Sequence, residues 1–310
     1  MSPAAVLGNY IITNAGASFT INARPATWTT NANSKTYGTS DGNPLTTGSG
    51  DFLAADGVTA TYSRAAGETV LGGPYHITAT LAPAAVLTNY AITNTGASFT
   101  INPAPLTIKA DGKTKFLNAA NPPLTATYSG FVLGQGPSSL SGTLSCTTTA
   151  TTNSSVGSYP INCSGQTSTN YAVTYVPGTL SITYVTGGMC AGDVAHQIRQ
   201  PINADGSSVW KQSATVPAKF AVCDANGVSI GTPVVTSFNL IAIVHGTTTN
   251  VDESPASTTP DTAFRWDPTG QQWIFNISTK SAPVNVANQT YMFQILLNDG
   301  STINFQFGLK

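Results

Sequence analysis

Short runs in which apolar and polar residues alternate, cut apart by Gly, Pro, Asn and Asp, recur along the whole chain. Examples are Ala17–Ile21, Tyr75–Ala79 and Thr290–Leu297. A period of two places every second side chain on one face, the mark of a half-buried strand. Windows rich in Leu, Glu and Lys with a 3.6-residue period are missing, so the pattern predicts an all-β protein.

The stretch from Ser2 to Asn22 returns almost letter for letter at 82–102, with Pro83, Asn89, Tyr90, Gly96, Phe99 and Ile101 in the places of Pro3, Asn9, Tyr10, Gly16, Phe19 and Ile21. A worn third copy lies at Asn170-Tyr171 and Gly178–Ile182. Tyr10 and Tyr90 are 80 residues apart, Tyr90 and Tyr171 81. A period of that length is a domain-sized module. It divides the chain into 1–23, the terminal strands of a truncated repeat; 24–103 and 104–183, two full repeats; and 184–310, which does not follow the repeat. In the first full repeat the pattern predicts strands at Ala26–Thr30, near Leu45, and at Val58–Ser63, Tyr75–Ala79 and Phe99–Ile101. The last region reads as Val194–Arg199, Ser208–Lys211, Thr215–Cys223, Val234–Val244, Ala263–Trp266, Trp273–Ser278, Tyr291–Leu297 and Thr302–Leu309. Proline-bearing linkers, Ala23–Pro25 and Pro103–Pro105, read as semi-rigid spacers, whereas Thr186–Gly188 reads as a hinge.

Composition narrows the class. Charged residues make up 8% of the chain, hydrophobic ones 41%, and the net charge is -1. That balance is opposite to the disorder signature and leaves no basic footprint for nucleic acid. No apolar run approaches the roughly 20 residues of a membrane-spanning helix. Four cysteines, Cys146, Cys163, Cys190 and Cys223, lack metal-type CxxC spacing. Cys146–Cys163 with Cys190–Cys223 is the simplest of three connectivities, and paired cysteines point to an oxidising, extracellular setting. The opening residues lack a signal peptide, but they correspond to the end of a module. The expectation is a C-terminal piece of a longer secreted protein whose signal peptide lies upstream.

Several landmarks recur in register. Asn121–Thr125 matches Asn43–Thr46, Ser129–Phe131 matches Ser49–Phe52, and Gly157–Ile161 matches Gly73–Ile77. With the terminal Asn-Tyr…Gly…Thr-Ile pattern, residues 1–183 resemble the bacterial MBG repeat. That resemblance implies immunoglobulin-like β-sandwiches in tandem on secreted and surface proteins. Residues 190–310 resemble the PxKF module, on Val216-Pro-Ala-Lys-Phe220, Pro201–Ser207, Cys223–Gly227, Phe264–Asp267, Trp273–Phe275 and Leu297–Ser301. The resemblance implies a C-terminal β-sandwich. The expected architecture is a rod of tandem immunoglobulin-like sandwiches ending in a distinct sandwich.

Candidate chemistry is sparse. His76, His196 and His245 stand in no metal-ligand spacing, and neither a GxSxG elbow nor a phosphate-binding glycine loop occurs. No catalytic or metal-binding residue and no cofactor is assigned, so the expectation is a protein without enzymatic activity. Asn203/Asp205, Asp224/Asn226 and Asn298/Asp299 offer oxygens for a structural calcium, but the same residues are what tight turns require. Trp210, Trp266 and Trp273 are either core residues or a sugar-stacking platform. Lys219 alternates onto the face of Cys223 and is the candidate structural lysine, to be paired, snorkelling or joined to an Asn in an isopeptide bond. Together these readings predict an extracellular structural or adhesive protein that engages neighbouring subunits, cell-surface or matrix components, or polysaccharide. Two alternatives stand beside it: a fibre subunit assembling by strand complementation through residues 1–23, and a carbohydrate-binding accessory region of a larger secreted enzyme.

Overall fold

The computed structural model describes residues 15–246, 251–253 and 261–310; the expected donor residues 1–14 lie outside this range. The first repeat contains β1 (Arg24–Thr30), β2 (Asn33–Thr36), β3 (Gly48–Gly50), β4 (Thr59–Arg64), β5 (Tyr75–Ala82), β6 (Tyr90–Thr93) and β7 (Ala97–Asn102). They form two facing sheets, β3-β1-β6 and β2-β7-β5-β4. The pattern missed β2 and β6, each only four residues long. The strand expected near Leu45 forms instead at Gly48–Gly50.

The second repeat follows with β8 (Ala104–Ala110), β9 (Lys113–Phe116), β10 (Ala126–Ser129), β11 (Ser141–Thr148), β12 (Gly157–Thr167), β13 (Tyr171–Val176) and β14 (Gly178–Thr183). Its sheets, β10-β8-β13 and β11-β12-β14-β9, repeat the order of the first. The recurrent landmarks now have physical roles. Tyr90 and Tyr171 are buried, and each hydroxyl accepts a backbone N–H of the facing loop, from Leu53 at 3.1 Å and from Val132 at 3.2 Å. Each ring also meets the aromatic of that loop edge-on, Phe52 at 4.9 Å and Phe131 at 5.4 Å. The Tyr of the Gly-x-Tyr strand closes its own loop: Tyr75 Oη donates to Thr69 O at 2.8 Å and Tyr159 Oη to Ser155 O at 2.9 Å.

The remaining strands are β15 (Met189–Cys190), β16 (Asp193–Val194), β17 (Ile198–Arg199), β18 (Ser208–Trp210), β19 (Thr215–Phe220), β20 (Val235–His245), β21 (Val251–Glu253), β22 (Arg265–Asp267), β23 (Gln272–Ser278), β24 (Gln289–Leu297) and β25 (Thr302–Leu309). Sheets β17-β19-β23-β22 and β20-β24-β25-β18-β21 enclose an aromatic core. Phe238 stacks on Phe293 at 5.4 Å and meets Phe264 edge-on at 5.2 Å.

Two compact units make up the chain. The first comprises 1–105, 130–139 and 168–172, the second 106–129, 140–167 and 173–310. Within the second unit, the hinge expected at Thr186–Gly188 is not what forms. Leu117 packs on the C-terminal core, Ala225 N–H donates to Leu117 O at 2.9 Å, and Asn118 Nδ2 donates to Asp224 Oδ2 at 2.7 Å. Val185 N–H donates to Cys223 O and Tyr184 N–H to Asp299. The two glycines therefore bridge segments that hydrogen bonds and apolar burial already clamp together. Asn118 takes a positive φ of 62°, as Gly38 does at 83° in the matching turn of the first repeat. That conformation is open to Gly and tolerated by Asn.

Candidate interaction site

The four cysteines form two disulfides, Cys146–Cys163 and Cys190–Cys223. Cys146 and Cys163 are directly opposite on antiparallel β11 and β12. In the first repeat Ala79, the match of Cys163, lies opposite Tyr62. Cys146 therefore replaces Tyr62.

The turn residues offered for calcium are engaged as acceptors. Asp205 Oδ1 takes Ser207 N–H at 2.9 Å and its hydroxyl at 2.7 Å. Asp224 Oδ1 takes the N–H groups of Asn226 and Val228, and Asp299 Oδ1 that of Ser301 at 2.9 Å. Among the described residues no group of three His, Cys, Asp or Glu side chains converges.

The tryptophans separate. Trp210 is 0% exposed, so no ring face is left for a sugar, and its place in the stacking platform is corrected to the core. Trp273 is buried as well, its indole N–H donating to Ile230 O at 2.9 Å, because β23 turns that residue inward against β19. Trp266 is half-buried and packs on Trp273 with ring centroids 5.5 Å apart. Lys219 is half-buried on β19, opposite Arg199 and Ile274. Its charge adds to the Gly270 N–H and the Gln272 amide in holding the Asp267 carboxyl below the usual carboxylate range.

The first repeat holds two features that strand patterning missed. One is a charge cluster. Alternation along β4 turns Ala60, Tyr62 and Arg64 inward, and the Arg64 guanidinium lies 5.0 Å over the Phe99 ring and 5.3 Å over Tyr75. Arg64 Nε pairs with Asp41 at 2.7 Å and Lys35 Nζ with Asp41 at 2.8 Å, while both cations also hold Glu68. The Arg64 hydrogen bond is the main cause that keeps Asp41 below its ordinary pKa; the Lys35 hydrogen bond does the same for Glu68. Both carboxyls bind protons less readily folded than unfolded. Their stabilisation is therefore present above the unfolded carboxylate values near pH 4 and is lost as pH falls through the lower folded values. Arg64→Ala uncovers Phe99 and leaves Asp41 with one partner, and should cost about 2–3 kcal/mol at neutral pH. In melts of the full chain at pH 7 and pH 3, the gap between wild type and variant should narrow at pH 3. A gap unchanged by pH would show that packing alone is lost.

The other feature is a cleft of about 590 Å³ between the edges of β3 and β4. Trp28, Leu45, Val58, Ala60 and Tyr62 line it. At its wall sits Gly48, where an added Cβ would lie 2.6 Å from Tyr62 Oη and 2.9 Å from Trp28 Nε1. Burial leaves that indole N–H without a hydrogen-bond partner among the described residues. In the second repeat Ile108 stands in the place of Trp28 and Cys146 in that of Tyr62. The signal that could have found this cleft was thus a difference between copies, whereas the repeat was traced by what the copies share.

No protein of curated function matches the chain. Among solved structures, the N-terminal eight Ig domains of Down Syndrome Cell Adhesion Molecule match at 11% identity and a TM-score of 0.29, over 90% of this chain and 35% of that one. The Yersinia pseudotuberculosis adhesin InvE matches at 12% identity and a TM-score of 0.27, over 66% and 58%. The I9–I11 tandem from titin matches at 8% identity and a TM-score of 0.21, over 76% and 73%. The MBG domain family, YGX type, matches residues 26–100 and 106–181. The first copy carries Tyr37-Gly38-Thr39 at the turn after β2, and the second has Leu117-Asn118-Ala119 there. The chain thus carries two tandem MBG domains of the YGX type, each an immunoglobulin-like β-sandwich.

Proposed function

We propose that this chain is a non-catalytic, extracellular structural or adhesive protein, with the MBG domains as a stalk and residues 190–310 as a PxKF-type sandwich. The observation that carries the reading is where the reactive side chains are spent. All four cysteines are in disulfides, and the acidic turn residues Asp205, Asp224 and Asp299 accept hydrogen bonds that shape their own loops. Such chemistry suits a protein that holds position in an oxidising exterior and engages cell-surface or matrix components. Antibody labelling of intact source cells tests it. Decoration without permeabilisation is expected, and labelling that requires permeabilisation would overturn the reading.

A specific observation favours a second reading, the fibre subunit. Phe19 and Ile21 are 89% and 86% exposed, whereas Phe99 and Ile101, in the identical sequence Gly-Ala-Ser-Phe-Thr-Ile-Asn, are 0% and 2% exposed. Concentration-dependent association lost on substituting Phe19 and Ile21 is the expected result.

A further inference from the structure

We infer that the edge of β4, which pairs with β5 alone among the described residues, and the cleft beside it are an acceptor for residues 17–22 of a second copy of this chain; this rests on the fibre-subunit reading and names its acceptor.

The acceptor side differs between the two MBG domains in a way the fold does not demand. Edge strands expose unpaired N–H and C=O groups, and proteins commonly protect them with bulges. The second domain has one. Its edge strand β11 shifts register between Gly142 and Ser145, and Cys146 ties it to β12. In the first domain β4 pairs with β5 without interruption from Thr59 to Arg64, has no bulge, and carries no disulfide. The adjoining cleft is lined by Trp28, Leu45, Ala60 and Tyr62 and contains no charged residue.

The donor side has matching chemistry. In β7, the identical segment turns Phe99 and Ile101 into the space between the sheets and Ser98, Thr100 and Asn102 outward. β7 belongs to the same sheet as β4. A second copy of the segment laid along β4 would therefore direct Phe19 and Ile21 into the cleft. Ser18 and Thr20 would lie beside the outward Thr59 and Thr61, a pairing of hydroxyl side chains that stabilises adjacent strands. Main-chain hydrogen bonds supply affinity in such strand addition, and the side-chain slots supply selection.

Sedimentation equilibrium on the full chain over a concentration series tests this. Wild type should self-associate, and Phe19→Asp/Ile21→Asp should weaken association about a hundredfold or more, since two apolar side chains lose their burial. Both residues are exposed in the free chain, so the double variant should keep the wild-type melting profile. Leu45→Asp, at the half-buried cleft rim, should weaken association comparably. Mixing the two variants should restore a heterodimer, because one retains the donor and the other the acceptor. Association lost in the donor variant but intact in Leu45→Asp would overturn the β4 acceptor and leave the fibre reading standing. A wild type that stays monomeric would overturn both.

Discussion

Replacing Cys190 and Cys223 together with alanine should lower the stability of the C-terminal sandwich by about 4 kcal/mol, from the loop entropy released to the unfolded chain. The bond closes 33 residues of sequence, and both cysteines are buried in a small cluster with Ala195 and Ala221. That cluster anchors the short hairpin β15–β16 to the segment that follows β19. Alanine avoids the extra penalty of burying unpaired serine hydroxyls. Urea unfolding followed by the fluorescence of Trp210, Trp266 and Trp273 reads this region, because the remaining tryptophan, Trp28, lies in the first MBG domain. The other disulfide joins residues that the β11–β12 ladder already holds opposite each other. Its removal should therefore cost less, and equal losses from the two bonds would contradict the argument.

Phe220→Ala should cost about 3–5 kcal/mol, the range for deleting a large aromatic from a packed core. Phe220 is 0% exposed, meets Phe264 edge-on at 5.3 Å and stands opposite Trp273 on β23. Its neighbour Lys219 lies on the other face and is half-buried, so Lys219→Ala should cost about 1 kcal/mol or less. The contrast explains the motif Val216-Pro-Ala-Lys-Phe220: Val216, Ala218 and Phe220 fill the core, and Lys219 keeps contact with solvent. Calorimetry of both variants in the full chain checks it. A loss at Lys219 as large as that at Phe220 would indicate a covalent or fully buried lysine.

Much of the fold was legible because a strand's two faces are written locally. Alternation marked β1, β4, β5 and β7, and the recurrence of Asn-Tyr and Gly-x-Tyr marked tyrosines whose hydroxyls close loops in both copies. β2 and β6 were not legible, since each is four residues long and pairs in parallel with a partner remote in sequence. The reading of Thr186–Gly188 as a hinge failed for a related reason. Two glycines announce local freedom, but Leu117 and Asn118, far upstream, hold the segments on either side.

The candidate site was less legible still. Trp210 and Trp266 look alike as aromatics on alternating strands, and only the packing of the two sheets buries one completely and leaves the other half-exposed. The match of Cys146 to Tyr62, and with it the contrast between a bulged, disulfide-tied edge strand and a regular one, emerged from cross-strand register.

By itself the sequence determined that the chain is built of strands, that a module of about 80 residues recurs, and that its last region departs from that repeat, because periodicity and turn residues are properties of neighbouring positions. The tertiary structure decided which strand lies at each sheet edge, which aromatics reach solvent, which charges surround Arg64, and that Phe19 and Ile21 are exposed while Phe99 and Ile101, in the identical segment, are buried. Those outcomes depend on which distant strands close the sheet, and identical residues acquire different roles when only one copy is built into it.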